Sequence, residues 1–156
     1  MFVVECVPDA TLVSSLASVG KRRVDHAGNK SRVLRKLMRN YKNSIGIIDQ
    51  DPNRTQPPDI QRFRQLESSE RDKLKILHHT RRNNRLVVIC PRLEEWIVEA
   101  AREANVDLRR YNLPNDPIEL HEIINIRVEE FRQLVKELEN SSNRVRALRA
   151  HLRGRT

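Results

Sequence analysis

Four carboxylates in this chain fall where apolar runs end: Glu5 after Phe2-Val3-Val4, Asp49 and Asp51 after Ser44 to Ile48, and Glu94 just after Leu86 to Cys90. Each run reads as a buried β-strand, so each acid stands at a strand's carboxyl end. In a parallel sheet those ends share one edge, where like charges weaken the fold unless cations or hydrogen-bond donors oppose them. Magnesium, a hard ion held by one or two carboxylates and several waters, is the natural opponent. Such an edge suits phosphodiester chemistry, because the metal stabilises charge on phosphate oxygens and activates water. Glu5 is the most telling of the four, since a carboxylate directly after Val-Val in a buried strand is expensive without a partner. The other acids have ordinary explanations beside the chemical one. Asp9 reads as a helix cap, Asp51-Pro52 is a common turn dipeptide, and Glu94 and Glu95 suit the first turn of a helix through its dipole.

The elements that must position these acids follow from the hydrophobic pattern. A strand over residues 2–6 leads into a helix over about 10–18. A possible strand at 22–26 precedes Gly28-Asn29-Lys30-Ser31 and a helix carrying Val33, Leu34, Leu37, Met38 and Tyr41. Ser44 to Ile48 is a third strand, ended by Pro52. From Asn53 to about Ser69 the polar, proline-bearing sequence reads as a long surface loop with at most a short helix. Lys73 to His79 fits strand or helix; Leu86 to Cys90 is a strand stopped by Pro91, and a helix over about 93–104 follows, with Trp96 in the core. Strand and helix thus alternate over residues 1–105, which predicts an α/β fold with a mostly parallel central sheet flanked by helices. Pro114 and Pro117 mark a change of composition, so residues 1–112 are read as the α/β domain and 113–156 as a helical C-terminal extension. The extension reads as one long amphipathic helix over Ile118 to Leu138, a break at Ser141-Ser142, and a last helix bearing Arg144, Arg146, Arg149, Arg153 and Arg155. Its apolar face must pack on the core or on a partner, whether a second copy in a homodimer or a larger complex.

Thirty Lys and Arg against twenty-one Asp and Glu give a formal charge of +9, which favours a polyanionic partner, most simply DNA or RNA. Lys30 at a helix start and the Arg-rich stretch containing Arg81 and Arg82 are the candidate phosphate contacts, although such residues also form ordinary solvated surfaces. The Gly28 segment lacks the spacing of a P-loop, and His78-His79 reads as a solvated pair. Cys6 and Cys90 have no zinc-site spacing and read as buried thiols of a reducing, cytoplasmic setting. No apolar stretch approaches the roughly 20 residues of a membrane span, so no membrane partner is expected.

Three segments, taken in order, resemble a known family. Val4-Glu5-Cys6-Val7-Pro8-Asp9 is similar to the Glu-Gly-x-x-Asp opening of the Toprim domain, and Ile47-Ile48-Asp49-Gln50-Asp51-Pro52 resembles its Asp-x-Asp motif. Cys90-Pro91-Arg92-Leu93-Glu94-Glu95-Trp96 resembles a segment of small standalone Toprim-like proteins related to the overcoming-lysogenization-defect nucleases, with Glu94 in the place of that segment's acid. The resemblance covers roughly residues 1–105 and implies a four-stranded parallel core whose acids bind Mg²⁺ or Mn²⁺. By the same resemblance, Glu5, Asp49 and Asp51 are the metal-binding and catalytic acids, Glu94 contributes to catalysis, and the expected activity is that of a nuclease. Cys6 stands where the family pattern has glycine, which bears on the local turn and on catalytic competence. The alternative expectation is a non-catalytic nucleic-acid-binding or protein-interaction module that keeps the fold.

Overall fold

The computed structural model describes residues 1–154; Arg155 of the C-terminal arginine series lies outside them. Six strands form one sheet: β1 (Phe2–Val4), β2 (Val24–His26), β3 (Ile45–Asp49), β4 (Arg64–Ser69), β5 (Leu74–His79) and β6 (Asn84–Ile89). The helices are α1 (Val7–Ala17), α2 (Lys30–Arg39), α3 (Leu93–Glu103), α4 (Pro117–Ile123), α5 (Val128–Ser141) and α6 (Asn143–Leu152). The sheet order is β2-β1-β3-β6-β5-β4. The first four strands in that order run parallel; β5 pairs antiparallel with β6, and β4 antiparallel with β5, so β5 is the one strand that runs against the rest.

Alternation along the strands explains the two layers. Val4, Ile47, Val87 and Ile89 face one apolar cluster with α1, α3, α5 and α6, while Val3, Ile48, Leu86 and Val88 face a second with α2. Gly46 permits the close approach of α2 to β3, because a Cβ there would collide with Leu37 and press on Val33 and Leu86. β1 lies between β2 and β3. The chain therefore moves outward from β1 to β2 through α1, then returns across β1 to β3 through α2. That reversal opens a crevice at the carboxyl ends of β1 and β3, the usual location of ligand sites in open α/β sheets.

The structure departs from the sequence expectations in four places. The first helix begins at Val7 rather than Ala10, and Cys6, not Asp9, is its N-cap; Asp9 sits in the first turn and accepts from the Cys6 amide at 3.3 Å and its thiol at 3.1 Å. The expected loop over 53–69 ends in a strand. β4 is an exposed edge, stabilised by backbone pairing with β5, so it carries no apolar alternation to reveal it. With this hairpin between β3 and β6, the strict strand–helix alternation fails. The expected long helix over 118–138 is divided into α4 and α5 by a turn at 124–127. Leu120, Ile124 and Phe131 keep the apolar phase across that turn, being spaced by four and seven residues, so periodicity alone conceals it.

Phe131, Leu134, Val135 and Leu138 of α5 are fully buried against α1, and Val145 and Leu148 of α6 join the same cluster. The apolar face of the extension is thus covered within the chain. Trp96 is fully buried, its indole donating to the Asp72 carbonyl at 2.8 Å and its face lying 5.9 Å from the Arg144 guanidinium. Cys6 and Cys90 are both free thiols, half-buried and buried respectively. Among the described residues no helix is long and apolar enough to cross a membrane.

Candidate active site at the carboxyl edge of the sheet

Glu5 follows β1 directly and Asp49 is the last residue of β3, so the parallel register brings them together at the crevice. The Asp49 amide donates to Glu5 Oε2 at 3.1 Å. Asp49 Oδ1 in turn accepts from the Leu93 amide at 3.1 Å, at the first residue of α3. A carboxylate at that position meets a free amide and the positive end of the helix dipole. Behind these two lies Asp9, 2% exposed.

The acids strongly perturb one another. Burial first, then the charges of Asp9, Glu5, Glu94 and Asp51, push the Asp49 carboxyl up to about 9. Burial likewise raises Asp9 to about 7 against the hydrogen bonds from Cys6, with Glu5 and Glu94 adding to the rise. Glu5 is raised by burial and by Asp51, partly offset by the Asp49 amide and the Lys30 ammonium. Asp49 therefore holds a proton at neutral pH, in an environment that would favour any cation able to replace it. The Cys6 thiol is pushed up by burial and by Asp9, so it is no nucleophile at neutral pH.

Asp51 occupies a different position from Asp49. Its carboxylate meets Lys30 Nζ at 3.2 Å and Arg92 Nε at 3.2 Å, so two cations neutralise it. Lys30 reaches this place because Gly28 N donates to the Glu5 carbonyl and Ala27 N to the Val4 carbonyl, fastening the start of α2 to the end of β1. Asn29 caps that helix by accepting from the Arg32 amide at 2.9 Å. Lys30 Nζ also donates to the Gln50 carbonyl and to Gln56 Oε1. Gln56 completes the knot by donating to the carbonyls of Gln50 and Asp51.

The cleft in front of these groups encloses about 420 Å³ and is lined by Asp49, Asp51, Arg92, Glu94, Ile118 and His121 among others. Glu94 accepts from His121 Nδ1 of α4 at 2.9 Å, and Arg92 also pairs with Glu95. The extension thus supplies one wall of the site. Of the residues expected from sequence, Glu5, Asp49, Asp51, Glu94 and Lys30 all gather at this edge. Arg81 and Arg82 do not: they lie on the turn between β5 and β6, at the opposite ends of the parallel strands. At about 3.3 Å per residue, β6 separates that turn from the acids by nearly 20 Å.

Asp9, Arg92, Gln56 and His121 also belong to the site, although sequence reasoning does not single them out as members of it. Arg92 and Asp9 lie inside the motif segments, so proximity to those acids is a usable signal; Gln56 and His121 are brought in only by tertiary packing. At Cys6 the local turn does not require glycine, because its φ of −141° and ψ of 175° are extended values open to any residue. Among the described residues no three His, Cys, Asp or Glu side chains are gathered as a ready metal-ligand set. The donor chemistry nonetheless fits a hard cation: Glu5 and Asp49 are oxygen donors with raised affinity for positive charge, and magnesium needs only one or two protein carboxylates. Comparison with family models, with curated proteins and with solved structures finds no match.

Proposed function

We propose that the chain is a Toprim-like, Mg²⁺- or Mn²⁺-dependent hydrolase of nucleic-acid phosphodiesters. The observation that carries this reading is the pair Glu5 and Asp49 at the sheet's reversal point, half-buried in front of the buried Asp9 and, among the described residues, in no ion pair. Shielding carboxylates together in this way costs the folded state stability, as each raised pKa records, beyond what their backbone hydrogen bonds return. Glu5 and Asp49 would hold the ion; bound there, it would stabilise charge on phosphate oxygens and lower the pKa of a water.

The chain's own groups divide the remaining work. Asp51 holds Arg92 at the cleft, where its guanidinium can meet a substrate phosphate, while Lys30, its ammonium bonded to Asp51, Gln50 and Gln56, fixes the loop behind it. Glu94, half-buried and bonded to His121, lines the same cleft and in this reading would accept a proton from an attacking water. Backbone contacts of this kind give salt-sensitive binding with little base preference.

Cleavage of labelled single- and double-stranded DNA and RNA, with Mg²⁺ or Mn²⁺ against chelator, tests the reading. The expected result is metal-dependent cleavage that falls by about a hundredfold or more in Asp49→Asn, as several kcal/mol of charge stabilisation is lost. Undiminished cleavage in that variant, with its thermal midpoint intact, removes Asp49 from the mechanism.

One observation favours a second reading. Glu5 and Asp49 each accept a backbone amide, Asp9 is bonded to Cys6, and Asp51 is saturated by Lys30 and Arg92, so every acid already has a structural partner. That is the arrangement of a binding module that keeps the fold without turnover. Metal-independent nucleic-acid binding with no cleavage supports it, and cleavage gained by Cys6→Gly would identify a degenerate enzyme.

A further inference from the structure

The opposite edge of the sheet carries a second cleft that the carboxylate chemistry does not use. It encloses about 570 Å³ between the end of α2, the turn at Pro58–Arg62 and the turn at Thr80–Arg82. Arg39, Arg62, Arg81 and Arg82 line it, against a single acid, Asp59, which lies 3.7 Å from Arg62. Among the described residues Arg39, Arg81 and Arg82 make no ion pair, and the buried His79 Nδ1 at this cleft has no hydrogen-bond partner. Arg39 also suits the negative end of the α2 dipole and Arg62 has Asp59, which leaves the charges of Arg81 and Arg82 without an ordinary structural explanation.

The arginine-bearing turn is built firmly. Asn43 N donates to the Arg82 carbonyl at 3.0 Å, Asn83 Nδ2 donates to Asn43 Oδ1 at 2.8 Å, and His78 Nε2 meets Asn83 Oδ1 at 3.0 Å. Fully buried Asn84 accepts from the Ser44 amide at 2.7 Å and donates to the Leu37 and Tyr41 carbonyls, tying the turn to the end of α2. The frame fixes the backbone that carries Arg81 and Arg82, so a ligand has only their side chains to order, and their planar donor forks match phosphate oxygens.

We propose that this cleft is a phosphoryl-anion site, separate from the acidic edge and able to bind whether or not that edge cleaves. The cationic surroundings register on His79, whose imidazole is held below its ordinary pKa by burial first and then by Arg81, Arg82, His78 and Arg62. Two sources offer the same phosphate chemistry: a free polyphosphate, or the backbone of a nucleic-acid strand. Exposed Arg32, Arg35 and Arg39 lie at i, i+3 and i+7 on one face of α2, a helix about 15 Å long that runs from the acidic edge to this cleft. A strand engaging both edges would follow that face, whereas a free anion needs the cleft alone.

The test is titration with inorganic tripolyphosphate and with a labelled single-stranded oligonucleotide, in chelator so that no metal bridges either probe. Four proteins are compared: wild type, Arg81→Gln/Arg82→Gln, Arg32→Gln/Arg35→Gln and Asp49→Asn. Tripolyphosphate is expected to bind wild type and to shift the His79 ring resonances; the Arg81/Arg82 variant should lose about tenfold or more in affinity with its melting point unchanged, and Asp49→Asn should lose nothing. A loss confined to the oligonucleotide in the Arg32/Arg35 variant assigns the cleft to a nucleic-acid strand, and no loss assigns it to a free anion. Wild type that fails to bind tripolyphosphate, or an Arg81/Arg82 variant that binds it as well as wild type, overturns the proposal. Cleavage plays no part in these readouts, so failure of the hydrolase reading leaves the result interpretable.

Discussion

At the carboxyl edge of the sheet Asp9 is 2% exposed and Asp49 is pushed up to about 9, while at the amino edge Arg81 projects into solvent and Asn84 beneath it is fully buried and fully hydrogen-bonded. One edge of the sheet thus carries acids shielded from water that oppose folding, and the other carries solvated bases supported by a neutral frame. Burial is what separates the two. A carboxylate withdrawn from water next to others of its sign weakens the native state, whereas an exposed guanidinium is solvated and nearly neutral to stability. Strain at one edge and solid support at the other predict opposite responses to substitution.

The largest effect is expected where the amino edge is held together. Asn84→Ala removes one acceptor and two donor hydrogen bonds from a site with no water access, leaving buried backbone groups unpaired, and should destabilise the fold by about 3 kcal/mol in urea unfolding. A cost near zero would mean that the arginine turn is not rigidly framed, which would remove the preorganisation argued for the basic cleft.

Next comes the carboxyl edge, where substitution should stabilise. The folded-state pKa of Asp49 lies above its ordinary value, so the native chain retains a proton that the unfolded chain has released; stability accordingly falls as pH rises from 3.8 to about 9 and levels off beyond. Asp9 contributes in the same direction between 3.8 and about 7. Asp49→Asn keeps an oxygen for the Leu93 amide and removes the charge. Its melting point should exceed that of wild type at alkaline pH by several degrees and converge with it in acid. Mg²⁺ should raise the wild-type melting point at about pH 8 and leave the variant's unchanged. Identical melting curves across pH would show that the cluster carries no strain.

The smallest effect belongs to the two arginines of the turn. Arg81→Gln/Arg82→Gln should change unfolding free energy by no more than about 0.5 kcal/mol, since neither residue makes an ion pair among the described residues. A larger loss would make these arginines structural and weaken the contrast between the edges.

Much of this edge chemistry is legible in the amino-acid sequence alone. Glu5 and Asp49 stand out because short runs of β-branched residues can only be buried strands, and an acid at the end of such a run has few places to go. β4 is not legible, because an exposed edge strand is selected by backbone pairing and leaves no apolar pattern. The turn between α4 and α5 is hidden by an in-phase spacing, and with it the wall that α4 and His121 give the cleft. Asp9 has the sequence signature of a cap; its real partner is the Cys6 amide and thiol, one turn earlier, and its depth in the cluster follows from how α1 sits on the sheet.

The amino-acid sequence determined the α/β class, the parallel β1, β3 and β6, and the placement of acids at strand ends, because periodicity and proline breaks act locally along the chain. Tertiary structure alone decided that Asp51 is neutralised by Lys30 and Arg92 while Asp49 is left short of cations, and that Arg81 and Arg82 stand nearly 20 Å from the acids instead of beside them. The physical reason is that strand order and direction rest on contacts between distant segments. β5 reverses before β6, and that single reversal carries two arginines to the far edge of the sheet.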